Sequence, residues 1–196
     1  GRIRLWGSVG FVAAVVATGG LTETFGLSLL PVVVIGCQVV ALLATALLAD
    51  PDDIGHSAQA APLGPVIRQA HVVVFLFVAM LMAASHAPYY SFFSIQLGDL
   101  GYSRTTIGIL WAFAVVAEVI LFSQGGWLLA RFTLVRLLGA ALAVTALRWL
   151  VMGYFADVEP ALWFAQGAHA ISFGLFHLAS IEYVRKRFAR VVKRDR

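Results

Sequence analysis

The chain has 196 residues, 61% of them hydrophobic and only 12% charged, where soluble domains hold roughly 45–50% and 25%. That composition excludes an ordinary soluble core, and the single cysteine, Cys37, excludes an intrachain disulfide framework. The formal charge of +4 does not mark a nucleic-acid-binding face, because the basic residues stand at the ends of apolar runs.

The first residues carry Arg2 and Arg4 ahead of an apolar run, without Met and without a signal peptide, so the chain is expected to be a fragment. A helix that spans a bilayer takes about 20 mainly apolar residues. Residues 5–22 form the first such stretch and 27–49 the second, with Pro31 tolerated in its first turn. Residues 50–68, rich in Pro and Asp, read as a linker. Residues 70–97 are a long third span. Ser103 or Thr105 can cap a fourth over 105–130. Residues 136–156 are the fifth span, and 160–184 the sixth, opened by Pro160. The basic tail 185–196 is expected in solvent.

Six spans alternate in direction, so their loops fall on two sides. The N-terminus, linker, 131–136 loop and tail share one side and hold twelve Lys and Arg residues; the other side has Arg104 alone. The positive-inside bias puts the first side in the cytoplasm of a multi-pass inner-membrane protein. Arg148 remains, inside a span. The predicted fold is an all-α membrane protein: 1–49 ends one bundle, 50–69 is a cytoplasmic central loop, 70–184 begins a second bundle, and 185–196 is the tail.

Three sequence blocks carry a family resemblance. They are Gly1-Arg-Ile-Arg-Leu-Trp-Gly-Ser-Val-Gly-Phe11; Ala84-Ser-His-Ala-Pro-Tyr-Tyr-Ser-Phe-Phe93 with Leu100-Gly-Tyr-Ser103, Ile107-Gly-Ile-Leu-Trp111 and Ala117-Glu118; and Leu147-Arg-Trp149 with His169-Ala-Ile-Ser-Phe-Gly174. Together they resemble the major facilitator superfamily, in the branch of phenylpropionate-type permeases and relatives of sugar- and nucleoside-proton symporters. The resemblance implies that the six spans are helices five to ten of a twelve-helix, two-bundle transporter. The superfamily's loop motif is similar to Gly126, Arg131 and Arg136, although Ala130 stands where that motif has Asp.

Ionisable residues inside a span default to function, since a buried charge costs about 2.5 kcal/mol or more. Glu118 is near mid-span, on a face with Trp111, Ala114, Phe122 and Gly125. It reads as a binding or proton-coupling group, or as half of an ion pair that locks two helices. Arg148 is its natural partner; alternatively, its planar fork offers itself to a substrate carboxylate. His86 precedes Pro88, which is expected to kink the helix, and Tyr89 and Tyr90 share its side at i+3 and i+4. Their hydroxyls need partners, from a ligand or from neighbouring backbone. His169 and His177 share a face with Gln166 and Phe173. A histidine suits proton coupling, though a lone one is also a common core residue. Glu118, Arg148 and His169 resemble the coupling set of lactose-permease-type symporters, but Ser172 stands where that set has a second carboxylate. The resemblance then leaves Glu118, or the missing helices, to carry the proton.

The sequence has no P-loop for ATP, no metal-ligand spacing and no need of a cofactor. Ser85 beside His86 is no catalytic dyad, because helix neighbours point apart. Glu182 is expected to pair with Lys186. The expected activity is secondary transport, by proton symport, of a small organic solute. By resemblance the solute is an aromatic carboxylic acid; sugar, nucleoside or muropeptide transport is the alternative. An intramembrane acid–base enzyme and a helical scaffold are further alternatives. Expected partners are the substrate, protons, lipid and the missing helices.

Overall fold

A computed structural model describes residues 2–48 and 63–194. All of its elements are helical: α1 (Arg2–Phe25), a 3-10 turn (Leu27–Leu29), α2 (Leu30–Thr45), α3 (Leu63–Ile67), α4 (Ala70–Asp99), α5 (Arg104–Ser123), α6 (Gly125–Arg131), α7 (Leu134–Tyr154), α8 (Glu159–His169), a π turn (Ala170–Leu175) and α9 (Phe176–Arg194). Among the described residues, five helices are long and apolar enough to cross a membrane. Residues 50–62 of the expected central loop lie outside the described residues; the end of the linker folds as the short α3.

Local chemistry explains the helix starts. Ser103 caps α5 by accepting from the Thr106 amide at 3.1 Å, and Thr133 caps α7 by accepting from the Arg136 amide. Pro31 and Pro160 occupy first turns, where no helical amide bond is lost. Gly26 and Gly101 adopt positive φ, 84° and 87°, at the turns that end α1 and follow α4.

Two expected spans are not single regular helices. The fourth breaks at Gln124, ahead of the weak helix formers Gly125 and Gly126, so α6 is a separate short piece. Gly125 is buried there, where a Cβ would meet the Leu178 side chain at 3.2 Å. The sixth is divided by the π turn, which periodicity did not reveal, and α9 continues past the expected end at 184 to Arg194. By contrast, α4 runs through Pro88 as one helix. The proline lacks the amide that the Ala84 carbonyl would otherwise receive.

Burial is inverted relative to a soluble protein. No residue of α2 is buried, and its Val32, Ile35, Val40 and Leu43 all exceed 60% exposure. Arg148 is 0% exposed, Gln166 0%, His86 2% and His169 4%. Apolar faces outside and polar groups inside are what a hydrocarbon solvent selects. Two apolar clusters lie along the bundle. One is built on Tyr89, Phe93, Leu97, Leu110, Met152 and Leu162, the other on Met82, Leu137, Ala141, Leu175 and Ala179. Along each helix the buried polar residues fall between the two in chain order: His86 on α4, Thr145 and Arg148 on α7, Gln166 to Ser172 on α8 and the π turn.

The α1 helix packs closely on α5. A Cβ on Gly108 would lie 2.6 Å from the Val15 carbonyl oxygen, and one on Gly19 would lie 2.8 Å from that of Arg104. The same seam ends in reciprocal polar contacts. The Arg104 amide donates to Glu23 Oε2 at 2.6 Å, and Arg104 Nη1 donates to the Thr22 carbonyl at 2.7 Å. The first satisfies an amide that the start of α5 leaves open, and the second adds a donor to a carbonyl that also accepts from the Gly26 amide.

Candidate functional site

The polar layer is organised around Arg148. Its Nε donates to the Ala165 carbonyl at 2.9 Å, and its Nη2 to Gln166 Oε1 at 3.3 Å. Sequence reasoning put Glu118 first as its partner; these two hydrogen bonds tie Arg148 to α8. The guanidinium carbon lies 4.2 Å from the Tyr89 ring centroid and 4.5 Å from that of Trp149. Both contacts place a cation over a π face, a desolvated arrangement worth about 2 kcal/mol.

Gln166 ties three helices together. Its Oε1 accepts from the Tyr89 hydroxyl at 3.0 Å as well as from Arg148, and its Nε2 donates to the Leu110 carbonyl at 3.2 Å. Two donors facing one end and a carbonyl facing the other fix the amide's orientation. The sequence placed Gln166 on the right helix face but gave no reason to rank it above His169. A neutral amide mid-span carries no charge penalty to flag it.

His86 sits beside this set. Its Nδ1 donates to the Met82 carbonyl at 3.0 Å and lies 3.3 Å from Ser85 Oγ, so these helix neighbours meet where the sequence expected them to point apart. The His86 ring lies 5.0 Å from Trp149 and 6.1 Å from His169. His86 Nε2, Arg148 Nη1, Trp149 Nε1 and His169 Nδ1 are all buried without a hydrogen-bond partner among the described residues. Native interiors satisfy most such groups, and these four lie together around Arg148. A cavity of about 310 Å³ adjoins it, lined by Ser85, Pro88, Tyr89, Gln96, Trp149 and Met152 among others.

A second tier runs from Tyr90 and Trp111 down the expected sixth span. Tyr90 is half exposed and stacks on Trp111 at 6.0 Å and 14°. The Trp111 indole donates to Ser94 Oγ at 3.0 Å. His169, Phe173 and His177 form a nearly parallel ring ladder, 5.3 Å and 6.1 Å between centroids, and Phe122 meets His177 edge-on. Glu118 is half-buried against the π turn. Its Cγ and Cδ lie 2.9 and 3.8 Å from where a Gly174 Cβ would stand. The structure therefore brings His86, Tyr89, Arg148 and His169 into one cluster, sets Tyr90 at its rim, and leaves Glu118 and His177 lower, beside the π turn. π turns of this kind concentrate at functional sites.

On α9, Glu182 bonds Arg185 at 2.6 Å and reaches Lys186 at 3.4 Å, so the expected i+4 pair is joined by a closer i+3 one. Among the described residues no three His, Cys, Asp or Glu side chains gather as metal ligands.

A bundle with apolar walls and an aromatic-lined polar layer at mid-depth is what a membrane transporter presents to its solute. Residues 1–194 match the profile of the MFS_1 like family. The chain belongs to that family. It is 33% identical over 195 residues to the "Probable 3-phenylpropionic acid transporter" of Escherichia coli (strain K12), covering 95% of this chain and 50% of that protein. It is 32% identical over 202 residues to the "Maltose permease" of Geobacillus stearothermophilus, covering 95% and 47%. An uncharacterized transporter of Bacillus subtilis (strain 168) is 28% identical over 204 residues, covering 98% and 48%. No solved structure gives a significant match. The chain spans about half the length of these curated relatives. As an MFS_1 like chain it is part of a helical membrane transporter fold, not an enzyme fold.

Proposed function

We propose that the protein is a proton-coupled secondary transporter of a small carboxylic acid, an aromatic one by preference. It would lie in the inner membrane with the 131–136 loop and the tail cytoplasmic. The observation that carries this reading is Arg148: a fully buried guanidinium, hydrogen-bonded only to neutral groups in the contacts described above, with Nη1 unpartnered and aromatic rings on its flanks. A carboxylate would take the free guanidinium edge in a charge-assisted bond, and a ring behind it would meet Tyr89, Tyr90 and Trp111. The name of the Escherichia coli relative agrees with that chemistry.

Proton coupling is assigned to Glu118, with His86 and His169 as relays between it and the anion. Residues 1–49 would close the site from one bundle and 70–184 from the other, and rocking of the bundles would expose the polar layer to each side in turn. The lower His177 extends the relay toward the cytoplasm.

The test is uptake of labelled 3-phenylpropionate by the intact protein in proteoliposomes. An inward proton gradient should drive accumulation, and Glu118→Gln should abolish it while downhill exchange and folding persist. Gradient-driven accumulation by Glu118→Gln at the wild-type level removes Glu118 from the coupling step. A second reading, a neutral sugar, is favoured by the half-exposed Tyr90–Trp111 pair, a flat platform suited to a sugar ring, and by the maltose permease relative. Uptake of maltose but not of 3-phenylpropionate would select it.

A further inference from the structure

Gln166 touches three other helices through hydrogen bonds, yet it carries neither charge nor a titratable proton. Its amide nitrogen is anchored on the Leu110 carbonyl of α5. That anchor turns the oxygen toward α4 and α7, where it accepts from Tyr89 and Arg148 together. The Nε of Arg148 is committed to the Ala165 carbonyl, one residue away on the same helix. Two of the three guanidinium nitrogens are thus held by α8, and Nη1 is left over.

Holding a buried guanidinium is ordinarily a task for Asp or Glu, which also cancels the charge. An amide offers the same acceptor geometry without the cancellation. A partner carboxylate at this position would satisfy Arg148 within the protein and leave a substrate anion nothing to neutralise. A purely apolar residue would leave two buried donors, Tyr89 Oη and Arg148 Nη2, without their acceptor, at the cost of a lost bond to a charged group.

We propose that Gln166 is the residue that sets substrate charge at this site: it positions Arg148 from α8 without neutralising it, so that the guanidinium selects a solute bearing a carboxylate. The inference rests on the carboxylate reading of Arg148 given above. Gln166 acts through Arg148 and is a positioning residue.

The experiment compares binding of 3-phenylpropionate with that of its neutral isostere, 3-phenylpropanamide, to the intact protein in detergent at neutral pH, by isothermal calorimetry. Wild type should prefer the acid. Gln166→Glu should weaken acid binding at least about tenfold while amide binding moves less than about threefold, because only the charge of the site has changed. A packing defect would weaken both. Gln166→Met, similar in length and without added charge, should weaken acid binding about tenfold by releasing the guanidinium. Should Gln166→Glu fail to fold, Gln166→Met decides alone. Acid affinity within about twofold of wild type in either folded variant, or equal loss of acid and amide in Gln166→Glu, overturns the inference. A wild type that binds neither acid nor amide overturns the carboxylate reading and this inference with it; a wild type that binds the acid beside an unaffected variant overturns the inference alone.

Discussion

Replacing Gly108 by Ala tests the α1–α5 seam. The added Cβ would stand 2.6 Å from the Val15 carbonyl oxygen and 3.5 Å from the Gly19 Cα. Ordinary van der Waals contact begins at 3.4 Å, so the oxygen is about 0.8 Å too close. It is backbone within a helix and cannot rotate away, so α1 must shift bodily. Overpacking of this kind costs about 1–3 kcal/mol, and the higher helix propensity of Ala offsets up to about 1 kcal/mol of it. The net expectation is a loss of about 1–2 kcal/mol. Gly20, adjacent to Gly19 on α1, is the control: nothing lies within 4 Å of its Cβ position. Gly20→Ala should therefore be neutral or stabilising by up to about 1 kcal/mol. Thermal unfolding of the intact protein in detergent, followed by tryptophan fluorescence, reads both. Equal melting of the two variants refutes the seam, and a lower melting point for Gly20→Ala than for Gly108→Ala reverses it.

Two further substitutions separate the polar layer from the π turn. Tyr89→Phe removes the hydroxyl that donates to Gln166 but keeps the ring beneath Arg148. It should cost about 1 kcal/mol in an unfolding titration, with substrate affinity reduced less than in Gln166→Met; an unchanged titration would mean that the bond contributes nothing net. Gly174→Ala places a Cβ 2.9 Å from Glu118 Cγ and must push that side chain aside. Melting should stay within about 1 kcal/mol of wild type, since the gain in helix propensity offsets the local shift. Proton-driven uptake should fall severalfold, and wild-type uptake would show that the position of Glu118 against the π turn is immaterial.

The sequence alone determined the membrane as solvent, the order of the apolar stretches, and the residues that make the layer ionisable, while of six expected spans five are single helices long and apolar enough to cross among the described residues. Those follow from local quantities: runs of apolar residues near bilayer length, charges collected between them, and the costs of leaving His86, Glu118, Arg148 and His169 in hydrocarbon. The caps at Ser103 and Thr133 and the prolines in first turns are local for the same reason. Pairing was not local. Depth along a helix allowed Arg148 to meet Glu118; that its Nε and Nη2 reach Ala165 and Gln166 depends on rotation about the helix axes, set by side-chain packing. The break at Gln124, the π turn at Ala170–Leu175 and the close approach of Gly19 to Gly108 likewise depend on what each helix meets, and an apolar stretch reads the same whether its hydrogen bonds run to i−4 or i−5. Hydropathy selects which residues leave the lipid; only tertiary packing selects which of them touch.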